Sequence, residues 1–138
     1  MTTLSSVCPL LQVFDMPTAV AFYRDGLGFE MVQTSGEIDA PEGRYFHWAW
    51  LRSGAVELML NTAYDAGERP ASPDPERVQA HSDTLFYFSC DDADAFAEAV
   101  KARGLEVLEI RTAPHGSREV HLRDPDGYSL CFQSRVTA

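Results

Sequence analysis

Apolar and polar residues follow the same order in two separate stretches of the chain. The segment 15–32, DMPTAVAFYRDGLGFEMV, aligns without a gap with the segment 91–108, DDADAFAEAVKARGLEVL. In both segments apolar residues recur at helical spacing, and a glycine, Gly28 or Gly104, then ends the predicted helix. Each stretch therefore predicts an amphipathic helix of about three turns that follows one short strand and leads into another.

The residues after each helix predict two strands joined by a turn. Two segments show this pattern: 48–61, WAWLRSGAVELMLN, and 119–133, EVHLRDPDGYSLCFQ. In each, two runs of alternating apolar and polar residues flank a few turn-forming residues. In the second segment Pro125 fixes its own φ and Gly127 tolerates a positive φ, which favours a tight turn. Each half of the chain is therefore predicted as β-α-β-β-β.

The stretch between the halves has a different character. Its sequence, TAYDAGERPASPDPERVQAHSD, is polar, rich in proline and without periodicity, which predicts a linker. We therefore divide the chain into a first βαβββ module (1–62), a Pro-rich linker (63–82) and a second βαβββ module (83–138).

The acidic composition excludes two classes of partner. The chain has 138 residues, the size of one compact unit, with 11 Lys+Arg against 21 Asp+Glu and a net charge of −10. Such a surface is repelled by phosphate backbones and by anionic lipid, so we expect neither nucleic-acid binding nor membrane binding.

The cysteines and the N-terminus indicate a cellular compartment. The three cysteines form no CxxC pair and leave one unpaired in any disulfide scheme, which fits a reducing cytoplasm. The N-terminal MTTLSSVCPLLQV lacks the basic start of a secretion signal and is too short for a membrane span. We expect a cytoplasmic protein.

Two motifs resemble a known family. AVAFYRDGLGFEM is similar to the first-helix signature, and REVHLRDPDGYSLCFQ to the C-terminal signature, of the vicinal oxygen chelate superfamily. That superfamily includes glyoxalase I, extradiol dioxygenases, fosfomycin-resistance enzymes and bleomycin-resistance proteins. The resemblance runs from about Val7 to Ser134, and it is nearest to the bleomycin-resistance branch, which lacks metal.

The resemblance implies a fold and an assembly. The fold class is α+β: two βαβββ modules, each a curled mixed sheet with a helix on its outer face, enclosing a cavity. It also implies a homodimer. The cavities could form within one chain or by swapping of modules between chains, and one sequence leaves both arrangements open.

Within that fold, strand alternation predicts which side chains face the cavity. A slip of one residue in register would invert the assignment. The inward-facing residues taken as site candidates are Phe46, Trp48, Trp50, Glu57, Met59 and Asn61 from the first module, and Tyr87, Glu119, His121, Cys131 and Gln133 from the second. The same alternation also turns Cys8, Leu10, Gln12, Leu85, Ser89 and Ser129 toward the cavity.

Two groups in this set have candidate roles. The aromatic side chains could stack on a ligand, or could simply belong to the core or to an interface. Glu57 and His121 are the candidate catalytic residues, as an acid–base pair acting on an enolisable substrate. The alternative is that each is a hydrogen-bonded residue without a chemical role.

The metal positions that the resemblance implies are mostly lost. Metal-dependent members place one ligand on each of four strands, which correspond here to Cys8, Glu57, Leu85 and Cys131. Glu57 alone keeps the expected residue type, and Leu85 has no donor atom. We therefore predict no metal ligands and no cofactor at these positions.

Two functions follow from these observations. The first is a small-molecule binding protein without catalytic metal, which sequesters a planar or cationic ligand on its aromatic wall. The alternative is a glyoxalase-, isomerase- or dioxygenase-like enzyme that uses Glu57, with or without a divalent metal. The sequence favours binding and does not identify the ligand.

Overall fold

The computed structural model describes residues 2–136. No helix within this range is long and apolar enough to cross a membrane. The strands are β1 (Leu10–Val13), β2 (Glu30–Thr34), β3 (Ile38–Ala40), β4 (Gly43–Tyr45), β5 (Trp48–Ser53), β6 (Val56–Thr62), β7 (Leu85–Ser89), β8 (Glu109–Thr112), β9 (Ser117–Arg123) and β10 (Ser129–Arg135). The helices are α1 (Met16–Val20), which continues as a π-helix (Ala21–Gly26), α2 (Pro75–His81) and α3 (Ala93–Ala102).

The strands form two four-stranded sheets with equivalent topology. The first sheet has the order β1-β6-β5-β2 and the second has the order β7-β10-β9-β8. In each sheet the first pair is parallel and the other two pairs are antiparallel. The hairpin β3–β4 is inserted into the first module. The predicted α+β class with two similar modules is therefore confirmed.

Both main helices begin at an aspartate that caps the first turn. The Asp15 carboxylate accepts a hydrogen bond from the Thr18 backbone N–H at 3.0 Å. Asp92 accepts one from the Ala95 backbone N–H, also at 3.0 Å. These bonds satisfy N–H groups that have no partner inside the helix.

The first helical segment contains one residue more than the second. The sequence alignment pairs Asp15 with Asp91, whereas the capping residues are Asp15 and Asp92. The π-helical turn after α1 accommodates the additional residue, because a π-helix contains more residues per turn than an α-helix. Both segments therefore reach a glycine with positive φ at aligned positions, Gly28 (87°) and Gly104 (90°).

The core lies between each helix and the face of the sheet that it covers. Alternate strand residues supply this face, and they are almost fully buried: Leu11, Val13, Ala49, Leu51, Leu58 and Leu60 in the first module, and Val120, Leu122, Leu130 and Phe132 in the second. Full burial of a leucine or phenylalanine side chain stabilises the fold by about 1.5–3 kcal/mol.

The turn between β9 and β10 connects the two modules through buried polar contacts. The hydroxyl of Tyr23, in the first module, donates a hydrogen bond to Asp124 Oδ2 at 2.6 Å. The other oxygen of Asp124 accepts the backbone N–H groups of Asp126 and Tyr128, at 2.9 and 3.0 Å. The Asp124 carboxylate thus shapes its own turn and holds the first helix against it.

Asp126 connects the same turn to β1 and to the linker. Its Oδ1 accepts the Phe14 backbone N–H at 2.7 Å and pairs with an Arg77 guanidinium nitrogen at 3.2 Å. Arg77 also donates to the Gln12 carbonyl oxygen at 2.5 Å. Because the Asp126 side chain is almost fully buried, these partners compensate the cost of removing its charge from water.

The predicted linker contains the helix α2, which the sequence pattern did not indicate. Its N-terminus is capped by Asp74, and its last residue, His81, stacks on Tyr128 with ring centroids 4.0 Å apart. The helix passes so close to the turn that a Cβ atom at Gly127 would overlap the Val78 carbonyl oxygen. The segment is short and has few apolar residues, so helical periodicity could not reveal it.

Burial raises the pKa of the Asp124 carboxyl from 3.8 to about 6. The folded state therefore holds this proton more tightly than the unfolded state does, and stability falls as pH rises between these values. Relative to an Asp124→Asn variant, we expect the free energy of unfolding of the wild-type protein to fall by up to roughly 3 kcal/mol between about pH 4 and pH 7. Urea denaturation at a series of pH values measures this difference.

The matched control is Asp83→Asn, which removes an exposed aspartate that follows α2. Its pH dependence should run parallel to that of the wild-type protein. Parallel curves for Asp124→Asn and wild-type protein would contradict the assigned role of Asp124.

Candidate functional site

Each sheet has a second face that points away from the helices, here called the open face. In the first sheet, alternate residues of β5 and β6 are buried in the core: Ala49, Leu51, Leu58 and Leu60. Strand alternation therefore places five of the predicted site residues on the open face, each of them half-buried: Trp48, Trp50, Glu57, Met59 and Asn61.

The structure places Phe46 elsewhere. This residue precedes β5, which begins at Trp48, and its ring packs against the hydrophobic core. At the next residue, His47, the ring Nδ1 lies 2.8 Å from the Thr62 hydroxyl. The chain bends here before the strand starts, so strand alternation cannot be extended back from Trp50 to Phe46.

Glu57 and Trp50 form a polar contact on the first open face. The indole Nε1–H of Trp50 donates a hydrogen bond to Glu57 Oε1 at 3.0 Å. Trp50 pairs with Met59 and Arg52 pairs with Glu57, so the contact is diagonal across the β5–β6 ladder. A carboxylate can accept several hydrogen bonds, so this single bond leaves Glu57 with capacity for a ligand.

Cys8 lies close enough to Glu57 to be affected by its charge. Partial burial, and then the negative charge of Glu57, raise the pKa of the Cys8 thiol. The thiol is therefore protonated at neutral pH, which does not suit nucleophilic chemistry.

The second open face carries the other five predicted residues. In β9 and β10 the residues that face the helix are buried in the core: Val120, Leu122, Leu130 and Phe132. The open face of the second sheet consequently holds Tyr87, Glu119, His121, Cys131 and Gln133. Tyr87 is 53% exposed, whereas Cys131 is completely buried.

Glu119 is the centre of a hydrogen-bonded network on this face. It is 1% exposed, and its Oε1 lies 3.0 Å from His121 Nε2 and 3.1 Å from Arg111 Nε. The hydrogen bond from His121, together with the bond and charge of Arg111, holds the pKa of Glu119 below its ordinary value. The carboxylate is therefore ionised at neutral pH and already has two partners.

Cys131 borders this network. Its Sγ lies 3.8 Å from His121 Nε2. Burial, with a further contribution from the charge of Glu119, raises the pKa of the Cys131 thiol to about 11. The thiol is protonated at neutral pH, so Cys131 with His121 does not provide a thiolate nucleophile.

Glu57 and His121, the two predicted catalytic residues, have different partners on different sheets. Glu57 accepts a hydrogen bond from Trp50, while His121 contacts Glu119 and Cys131. Within residues 2–136 no hydrogen bond joins Glu57 to His121. The geometry of one chain therefore gives no direct acid–base pair.

An apolar cavity of about 510 Å³ lies where the edges of the two sheets meet. Its volume is in the range that holds small organic ligands. The lining comes from the segment before and within β1 (Val7, Pro9, Leu11), from the β5–β6 turn and β6 (Ala55, Val56, Glu57, Leu58), and from β7 and β10 (Phe86, Tyr87, Phe88, Ser89, Leu130).

Two of the predicted site residues, Glu57 and Tyr87, line this cavity. Ser89, which strand alternation also turned inward, lines the cavity as well. The remaining lining residues were not predicted, because several of them, such as Val56, occupy alternate strand positions on the helix side. The repeat itself could have predicted these residues, because β1 and β7 are the first strands of the two repeated modules. Such strands lie at sheet edges, where the modules can meet.

The four positions where metal-dependent relatives carry ligands do not fit a metal here. Leu85 offers no donor atom and is 51% exposed. Cys131 is buried beside His121 on the second sheet, and Cys8 and Glu57 belong to the first module. These four residues do not form the imidazole and carboxylate set that a divalent catalytic ion requires.

Comparisons with solved structures show the same fold. A bleomycin-binding protein from Streptomyces verticillus, solved with copper(II)-bleomycin, is 24% identical over 96% of this chain and 97% of its own, with a TM-score of 0.65. TnmS3, an antibiotic binding protein from Streptomyces, is 20% identical over 99% of this chain and 100% of its own, with a TM-score of 0.67. A lactoylglutathione lyase from Agrobacterium tumefaciens is 26% identical over 96% of this chain and 95% of its own, with a TM-score of 0.63.

No curated protein sequence matches this chain. A family model, however, matches residues 4–132, which is most of its length. With the two βαβββ modules and their signatures, this match shows that the chain belongs to the Glyoxalase/Bleomycin resistance protein/Dioxygenase superfamily.

Proposed function

We propose that the protein binds a small planar or cationic molecule and holds it without a catalytic metal. The observation that carries this proposal is the Glu57 carboxylate, which sits at an apolar cavity with its Oε1 bound to the Trp50 indole. An anionic group beside aromatic surface, in a cavity of about 510 Å³, favours a ligand that combines positive charge with an apolar body.

The surrounding open faces supply the rest of the proposed binding surface. Trp48, Trp50 and Tyr87 offer aromatic rings for stacking, and the net charge of −10 attracts cations toward the site. The remaining residues proposed to contact ligand are Met59, Asn61, Glu119, His121, Cys131 and Gln133.

Two of the structural neighbours support binding as the function. Both are described as binding antibiotics, and one of these ligands is a copper(II)-bleomycin complex. The lyase neighbour raises the alternative of an enzyme. The separation of Glu57 from His121 does not favour that alternative.

We also propose that the protein forms a homodimer in which a second chain covers the open faces. Leu10 on β1, and Leu85 and Tyr87 on β7, are 43%, 51% and 53% exposed. These large apolar side chains lie on the edge strands of both sheets, where another copy could bury them. The free cysteines further support a reducing cytoplasm as the location.

Replacing Glu57 with glutamine should weaken the binding of a planar cation. Proflavine, a flat aromatic cation, and metal-free bleomycin are suitable ligands for titration calorimetry. For whichever ligand binds the wild-type protein, loss of the carboxylate charge should raise Kd by about tenfold, equivalent to about 1.4 kcal/mol. A Trp50→Phe variant, which keeps a ring but loses the indole N–H, should have a smaller effect.

Glu30→Gln is the matched control for this titration. Glu30 is an exposed residue in the same sheet, and its replacement changes the net charge by the same amount. Equal weakening by both variants would mean that only overall charge matters. Unchanged affinity in Glu57→Gln would remove Glu57 from the site.

The homodimer has its own test in the Leu85→Glu variant. Sedimentation velocity should give the mass of a dimer for the wild-type protein and of a monomer for this variant, because the new charge would be buried against apolar surface. Leu108→Glu changes a leucine of similar exposure (49%) next to β8, at the opposite edge of the second sheet from β7, and should leave the dimer intact. A monomeric wild-type protein would refute this assembly.

A further inference from the structure

We infer that Glu119, His121 and Cys131 form a binding site for a divalent transition-metal ion of the Zn(II) type on the open face of the second sheet. Each residue offers one donor atom, and the three atoms all lie within 4.8 Å of one another. These residues differ from the set that the resemblance implies, which shares only Cys131 with them. The three residues are also among those proposed to contact ligand, but none of them lines the apolar cavity, so metal binding here can be tested without an organic ligand.

The donor distances are close to those of a tetrahedral zinc site. Zinc bonds of about 2.0 Å to nitrogen or oxygen and 2.3 Å to sulfur place neighbouring donors about 3.3–3.6 Å apart. The His121 Nε2 to Glu119 Oε1 distance is 3.0 Å, and the Cys131 Sγ to His121 Nε2 distance is 3.8 Å. Both differ from the tetrahedral values by a few tenths of an ångström, which side-chain rotation can provide.

The backbone arrangement brings the donors together without a flexible loop. Cys131 pairs directly with His121 across the antiparallel β9–β10 ladder. Glu119 precedes His121 by two residues and so projects from the same face of β9. Positions on paired central strands are more rigid than loop positions, and this rigidity favours a preformed site.

The three proposed ligands differ in their exposure to solvent. Glu119 and Cys131 are buried, whereas the His121 side chain is 21% exposed. Arg111 binds Glu119 Oε1 from the more exposed edge strand β8 and could orient the carboxylate as it coordinates the ion. Three protein donors leave a fourth position for water or for a donor atom of a ligand.

The types of donor select the ion. One thiolate, one imidazole and one carboxylate suit zinc or cobalt(II), whereas magnesium and calcium require oxygen ligands. Metal ions bind the thiolate form of cysteine and the neutral form of histidine. Coordination through sulfur would therefore release the Cys131 thiol proton to solvent, so metal affinity should rise with pH.

Cobalt(II) provides a direct test, because its spectrum reports both geometry and sulfur coordination. Protein stripped with chelator is titrated with CoCl2 at neutral pH. We expect saturation at one equivalent per chain, with the visible bands of tetrahedral cobalt and a thiolate-to-cobalt charge-transfer band in the near ultraviolet. Addition of one equivalent of ZnCl2 should abolish both sets of bands.

Variants locate the ion. Cys131→Ser should lose the charge-transfer band, and His121→Ala should weaken cobalt binding by at least tenfold. Cys90→Ser, which removes the half-buried Cys90 thiol, and Glu57→Gln should leave the spectrum unchanged. Loss of the band in Cys8→Ser or Glu57→Gln, or no saturable binding by the wild-type protein, would overturn the proposal.

A second measurement needs no variant and therefore does not depend on Cys131→Ser folding correctly. X-ray absorption at the zinc edge of the wild-type protein with one equivalent of zinc should show one sulfur in a shell of otherwise lighter ligands. A shell without sulfur would exclude Cys131 and overturn the site.

Discussion

The relative position of the two modules depends on two buried aspartates in one tight turn. Asp124 binds Tyr23 of the first helical segment, and Asp126 binds the backbone of Phe14 and the guanidinium of Arg77. Buried carboxylates destabilise a fold unless each is satisfied, so these contacts tolerate little displacement of one module against the other. They fix the junction at which β1 and β7 border the apolar cavity.

The repeat and the strand alternation made the fold predictable, and the buried core residues occupy alternate strand positions as that pattern requires. The predicted inward orientation does not hold for Phe46, because this residue lies before β5, where strand alternation does not apply. The junction could not be predicted, because Tyr23 and Asp124 are 101 residues apart and nothing in either local pattern marks them as partners. The helix α2 is equally hidden, since it depends on stacking and ion pairing with the turn more than on its own apolar residues.

The duplicated backbone supports different chemistry on its two open faces. On the first face, Glu57 has one partner, Trp50, and lies at a cavity. On the second, Glu119 is enclosed by Arg111 and His121, and Cys131 completes a compact cluster. A carboxylate with spare capacity suits an organic cation, whereas one enclosed beside a thiol and an imidazole suits a metal ion. We therefore propose a different kind of cation site on each open face.

The proposed dimer connects these sites to each other. The open faces are partly exposed in a single chain, and water weakens the attraction between Glu57 and a cationic ligand. Burial of Leu85 and Tyr87 by a second chain would remove that water and strengthen the attraction, provided that the ligand supplies the compensating charge. A ligand that binds the dimer more tightly than the monomer must stabilise the dimer by the same free energy. Ligand binding and assembly would therefore be coupled through the exposed apolar edges of the two sheets.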